Sequence, residues 1–118
     1  MIDNKDLKNE QMALCQKYGT IFYDSPANLK VGISRNVKDG ARPINGLRHP
    51  AEGDTTGWYI WGGEEYSSDP DFFVPLHVEH LEEWCPIILK YLGLPPGWRF
   101  LATENYEDVW QDPALLDI

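Results

Sequence analysis

The sequence predicts an α+β fold, a single domain over residues 1–118 with a mostly antiparallel sheet packed against an N-terminal helix and a central helix. Three observations predict it. An amphipathic stretch opens the chain, and a second helical stretch with a proline break spans 77–93. Short apolar runs bounded by Gly, Pro and Asn fill the intervals. At 118 residues the chain can bury well over half of its unfolded surface in one core, and no internal repeat or linker divides it.

The first helix runs from Asp3 to Tyr18. Asp3 or Asn4 caps it, Leu7, Met12 (or Gln11), Leu14 and Cys15 fall roughly on one stripe, and Gly19 follows the end. "TIFYD" (20–24) reads as a short strand before the turn at Ser25-Pro26. "LKVGIS" (29–34) alternates Leu29, Val31 and Ile33 on one face, a half-buried strand. From Arg35 to Thr56 the glycines and prolines break every period, which predicts a long irregular connection. In "GWYIW" (57–61) Trp58 and Ile60 point to one side, Tyr59 and Trp61 to the other. The first pair is assigned to the core, the second to a packed or partly exposed face.

A polar loop, "EEYSSDPD", follows, then a short strand "FFVPL" (72–76). "HVEHLEEW" (77–84) begins a helix, Pro86 marks a break, and "IILKYL" continues to Gly93. "GWRFLA" and "YEDVW" (106–110) make a hairpin turning at Asn105, and "QDPALLDI" either forms a last short turn or packs loosely.

The net charge of −9 is uneven. Residues 1–59 carry eight Lys/Arg against seven Asp/Glu, and residues 60–118 carry two against twelve. The acidic second half argues against nucleic acid, whose phosphates require Lys and Arg, and suits a basic protein partner. The aromatic content of 13%, with five Trp, serves a core and a binding surface equally well. No apolar run reaches membrane-spanning length, and the N-terminus shows no signal-peptide pattern, so a cytoplasmic protein is expected. Cys15 and Cys85 are too few for a disulfide framework and are expected reduced and buried.

Motifs for chemistry are thin. His77 and His80 would share a helix face with Glu79 between them, but this is not H-E-x-x-H and no second Cys/His cluster accompanies it. Asp69 and Asp71 form D-x-D without the glycine and terminal glutamate of a calcium loop. No P-loop, G-x-G-x-x-G or G-x-S-x-G occurs. No catalysis and no cofactor are expected.

Four stretches carry a resemblance: "SRNVKDGARPINGLRHP", "GWYIWGGEEYSSDPDFFVPLHVEHL", "CPIILKYLGLPPGWRFL" and "YEDVW". Together, over Leu29 to Trp110, they resemble the immunity-protein domain numbered thirty-third among bacterial polymorphic toxin systems. The resemblance implies a small α+β protein that binds and neutralises a toxin encoded beside it, without catalysis or cofactor. It supplies no contact residues and leaves the toxin's activity open; the absent signal peptide favours one acting in the cytoplasm. A general interaction module, or a small metal-assisted hydrolase using His77 and His80, are the alternatives.

The candidate contacts come from the residues themselves. Glu64, Glu65, Asp69 and Asp71 form an acidic loop leaving the aromatic strand, where Tyr59 and Trp61 offer ring surface. Arg42 and Arg48 lie in the only basic stretch. They either brace it against the acidic half or form a second contact.

Overall fold

The computed structural model describes residues 4–63 and 72–117, and within them the chain is α+β as predicted. Helix α1 spans Asn4–Lys17, and its expected cap at Asp3 lies outside the described residues. Six strands follow: β1 Lys30–Ser34, β2 Ile44–Arg48, β3 Thr55–Gly62, β4 Phe73–His77, β5 Trp98–Thr103 and β6 Tyr106–Gln111. They form one sheet in the order β4-β1-β3-β2-β5-β6, antiparallel except for the β1–β3 pair.

The period of two decides which face each strand buries. Val31 and Ile33, Trp58 and Ile60, and Phe100 and Ala102 alternate along their strands and meet Leu14, Leu81, Ile88 and Leu92 from the helical layer. Trp58 anchors this core, essentially inaccessible, and its indole N–H donates to Ser25 Oγ at 3.2 Å. Phe100 packs between Trp58 and a stacked Tyr91 ring. Cys15 and Cys85 are free thiols buried in the same cluster.

Three predicted elements need correction. Residues 20–24 join no strand ladder. The Tyr23 N–H donates instead to Gly93 O at 2.8 Å, so this extended segment packs on the second helical stretch. The Arg35–Thr56 connection is not irregular throughout, because it contains the 3-10 helix Arg35–Val37 and the fully buried strand β2 between β3 and β5. Asn45 and Gly46 read as turn residues in sequence. Gly46 is there for space, since a Cβ at that position would stand 2.1 Å from the Phe100 ring. Gly57 opens the pairing of β3 with β2 in the same way. Its φ is +91°, and a Cβ would lie 1.9 Å from His49 O.

The expected helix from 77 onward is three short pieces. They are a 3-10 helix Val78–His80, helix α2 Leu81–Trp84 and a 3-10 helix Pro86–Gly93. Cys85 sits between the last two at φ −163°, ψ 89°. Proline lacks an N–H and forces its predecessor out of the helical region, so α2 stops there. His77 is consequently the last residue of β4 and not a helix residue.

Candidate functional site

Strand β3 delivers Tyr59 and Trp61 to the sheet face opposite the helical core. Trp61 is only 3% exposed, in a second apolar cluster with Leu47 and Leu115, against which Phe72 and Phe73 pack. Leu115 arrives from the 3-10 helix Pro113–Leu116, whose preceding residue Asp112 accepts from Ala114 N–H and pairs with Arg99 at 3.4 Å. The C-terminal turn therefore covers part of this outer face. Trp61 takes the packed option of the two expected for it.

Tyr59 lies on the uncovered part and keeps 38% of its surface exposed. Its ring crosses Gly32, where an added Cβ would meet it at 2.9 Å. Gly32, Phe73, Val74 and Pro75 help line a shallow depression of about 290 Å³ beside the ring. His49, Tyr59, Phe73 and Phe72 form a row of edge-to-face contacts with centroid separations of 5.6, 5.3 and 4.9 Å. Trp61 joins the row at Phe73, 6.3 Å away. Glu64, Glu65, Asp69 and Asp71 lie outside the described residues. The chain leaves for them at Gly63, directly after β3, and returns at Phe72 within the aromatic row.

The two candidate arginines part company. Arg42 is at the surface, with Nε 3.0 Å and Nη2 2.7 Å from the Glu104 carboxylate, which ties the β2 approach to the β5–β6 turn. This hydrogen bond raises the Arg42 pKa and lowers that of Glu104. Arg48 is inside the protein at 1% exposure. Its guanidinium donates to the carbonyls of Thr56, Tyr23, Leu94 and Asp24 at 2.8–2.9 Å, and to Leu92 O at 3.2 Å. It also lies 4.8 Å from the Tyr23 ring centroid and 5.6 Å from that of Trp58. Burial pulls its pKa down to about 10, with partial compensation from Tyr23, Asp24 and Cys15, so it stays charged at neutral pH. Arg48 joins β2, β3, the 20–24 segment and the second helical stretch. Its hydrogen-bond partners are backbone carbonyls, not carboxylates.

A second polar centre had no forecast in the sequence. Glu107 on β6 gathers two Lys-Tyr dipeptides, Lys17-Tyr18 and Lys90-Tyr91. Its carboxylate accepts from the Tyr18 and Tyr91 hydroxyls at 2.6 and 2.8 Å and pairs with the ammonium groups at 3.0 and 3.3 Å. Desolvation pushes its pKa up, but the four hydrogen bonds outweigh it and bring the group down to about 2. The repeated Lys-Tyr pair was the available signal. The centre fastens α1 and the second helical stretch to the sheet edge.

His77 and His80 stand with ring centroids 6.2 Å apart, and His80 lies 3.6 Å from Glu79. Among the described residues no three His, Cys, Asp or Glu side chains converge into a metal-holding group. No helix among them is long and apolar enough to cross a membrane.

Residues 10–112 match the model of the Imm33-like domain, a span that takes in most of α1 and all six strands. The chain belongs to the Imm33-like domain family. Comparisons with curated proteins and with solved structures returned no match. The family match starts well before Leu29, so α1 is part of the Imm33-like domain and not an appendage. Its burial of Leu14 and Cys15 in the main core agrees with that placement.

Proposed function

We propose that this Imm33-like domain is an immunity protein. It binds a cognate toxin and neutralises it by occupying the toxin's surface, without a cofactor and without catalysing a reaction. The proposed toxin acts in the cytoplasm. The contact surface is the outer sheet face around Tyr59 and Phe73, with the acidic connection of Glu64, Glu65, Asp69 and Asp71 at its border. One observation carries the placement: a tyrosine at 38% exposure rests in an aromatic row beside a shallow apolar depression, on a face the helices leave uncovered. Exposed rings held rigid by their neighbours make strong anchors, since little side-chain entropy is lost on binding. Trp61 serves from beneath by fixing Phe73, and Arg42 lies at the rim through its pairing with Glu104.

The test is co-expression with a candidate toxin gene, sought beside this one. Wild type rescues growth, and Tyr59→Ala loses protection while it still unfolds cooperatively and is folded at the assay temperature. Full protection by a folded Tyr59→Ala/Phe73→Ser variant would move the interface off this face.

A further inference from the structure

Strand register puts a second polar side chain in line with Tyr59. Tyr59 pairs with Leu47, Leu47 with Arg99 and Arg99 with Trp110, one row across β3, β2, β5 and β6. Phe100 and Val109, the chain neighbours of Arg99 and Trp110, lie in the main core. The period of two therefore turns Arg99 and Trp110 to the outer face. At ~4.8 Å per strand, the Arg99 backbone stands ~10 Å from that of Tyr59. Leu115 packs with Leu47, the residue between them, so Tyr59 and Arg99 flank the C-terminal turn.

The Arg99 guanidinium is poorly satisfied within the chain. It lies 5.3 Å from the Trp110 ring centroid, and the side chain is 27% exposed. Its one hydrogen bond among the described residues runs from Nη1 to Asp112 Oδ2 at a long 3.4 Å. Nε is buried without an acceptor. Asp112 is held back, because its Oδ1 accepts from the Ala114 N–H at 3.3 Å and caps the C-terminal turn. One carboxylate is divided between two donors and serves neither fully. Arg48 fills its donors with five carbonyls, and Arg42 meets Glu104 through Nε and Nη2. Of these three arginines, Arg99 is the one with donors to spare. A buried donor without an acceptor is costly, and an incoming acceptor removes that cost.

We infer that Arg99 is a second anchor of the outer face and takes a carboxylate of the partner protein, an aspartate or glutamate side chain. The inference rests on the toxin-binding reading of that face. A carboxylate placed side-on fills Nε and one Nη together, the fork that Arg42 already makes with Glu104. The half-exposed Arg99 side chain reaches it by turning outward from Trp110. A phosphate also suits a guanidinium, but a nucleic acid needs many cations and the net charge here is −9. A standard interface covers about 800 Å² per partner, roughly 30 Å across, so one partner spans both Tyr59 and Arg99. Arg99 then fixes orientation. The partner carries an acid opposite β5 and bases opposite the acidic connection that follows β3.

The first experiment uses the chain alone. In urea unfolding, Arg99→Gln leaves the midpoint within about 0.5 M of wild type, since an exposed pair contributes little. A larger fall would make Arg99 a structural brace and overturn the inference. The second is calorimetric titration with a catalytically inactive form of the proposed cognate toxin. Arg99→Gln raises Kd about tenfold or more, and Arg99→Lys, which keeps the charge but not the fork, recovers only part of the loss. Asp112→Asn keeps an oxygen for the Ala114 N–H but gives up its claim on Arg99, so it lowers Kd about threefold. In the Arg99→Gln background the same change moves Kd less than about twofold. An unchanged Kd for Arg99→Gln, or an equal effect of Asp112→Asn in both backgrounds, would overturn the anchor. Tyr59→Ala separates the two claims. If it weakens binding and Arg99→Gln does not, the face stands and the arginine falls. If neither weakens binding, the outer face itself is wrong.

Discussion

Replacing Arg48 by Met removes the guanidinium while keeping much of the side chain's bulk. Five backbone carbonyls then lose a guanidinium donor in a space that is 1% exposed, and only Leu92 O keeps a side-chain donor of its own, the Ser25 hydroxyl at 2.6 Å. At ~1.5 kcal/mol for each charge-assisted bond, the loss is ~7.5 kcal/mol. Burial of the cation offsets part of this. The downward displacement of its pKa to about 10 corresponds to ~3.4 kcal/mol, which Met no longer incurs. The net destabilisation is ~4 kcal/mol. This differs from a buried ion pair replaced by apolar groups, because here the acceptors are main-chain atoms that no side-chain substitution can remove. The assay is urea unfolding followed by tryptophan fluorescence. With a slope of ~1.5 kcal/mol/M for a chain of this size, the midpoint falls by ~2–3 M. Arg48→Lys keeps the charge but has fewer donors and falls between wild type and Met. A shift below ~1 kcal/mol for Arg48→Met would refute the internal role and return Arg48 to the list of surface contacts.

Trp58→Ala empties the centre of the core and costs ~3–5 kcal/mol by the same unfolding assay, whereas Trp98→Ala, only half-buried, costs ~1–2 kcal/mol. Glu107 gives a pH signature. Its folded pKa is depressed from 4.5 to about 2, so its contribution is complete above about pH 4.5 and is lost as pH falls towards about 2. Discounted for its partial exposure this is ~1–2 kcal/mol, and Glu107→Gln flattens the stability profile in that window alone. Arg42→Gln leaves unfolding close to wild type, because its partner Glu104 is a surface carboxylate; a weaker hold on the toxin with intact folding places Arg42 in the interface. Reversing Glu64, Glu65, Asp69 and Asp71 to Lys slows toxin association about tenfold or more at low salt, a difference that shrinks as ionic strength rises. Stopped-flow kinetics at two salt concentrations read it out.

Periodicity made most of the fold legible. The alternation of Val31 with Ile33 and of Trp58 with Ile60 marked strands and their buried faces, and Asn105 marked the β5–β6 turn. Strand β2 was hidden because its identity lies in what surrounds it. Asn45 and Gly46 are turn-formers by composition, and only the approach of the Phe100 ring explains a glycine in mid-sheet. Arg48 was illegible for a related reason. Its acceptors are main-chain carbonyls, which leave no trace in residue identity, so a buried arginine and a surface one look alike in sequence. Tyr59 was placed on the correct strand face, and its exposure came only with the C-terminal turn, which covers Trp61 and stops short of it.

Calorimetric titration of the purified chain with a catalytically inactive form of the proposed cognate toxin bears most directly on the immunity reading. One-to-one binding with a nanomolar Kd is expected for wild type, and a Kd raised about tenfold or more for a folded Tyr59→Ala. No measurable heat, or equal affinity for wild type and Tyr59→Ala, would contradict it.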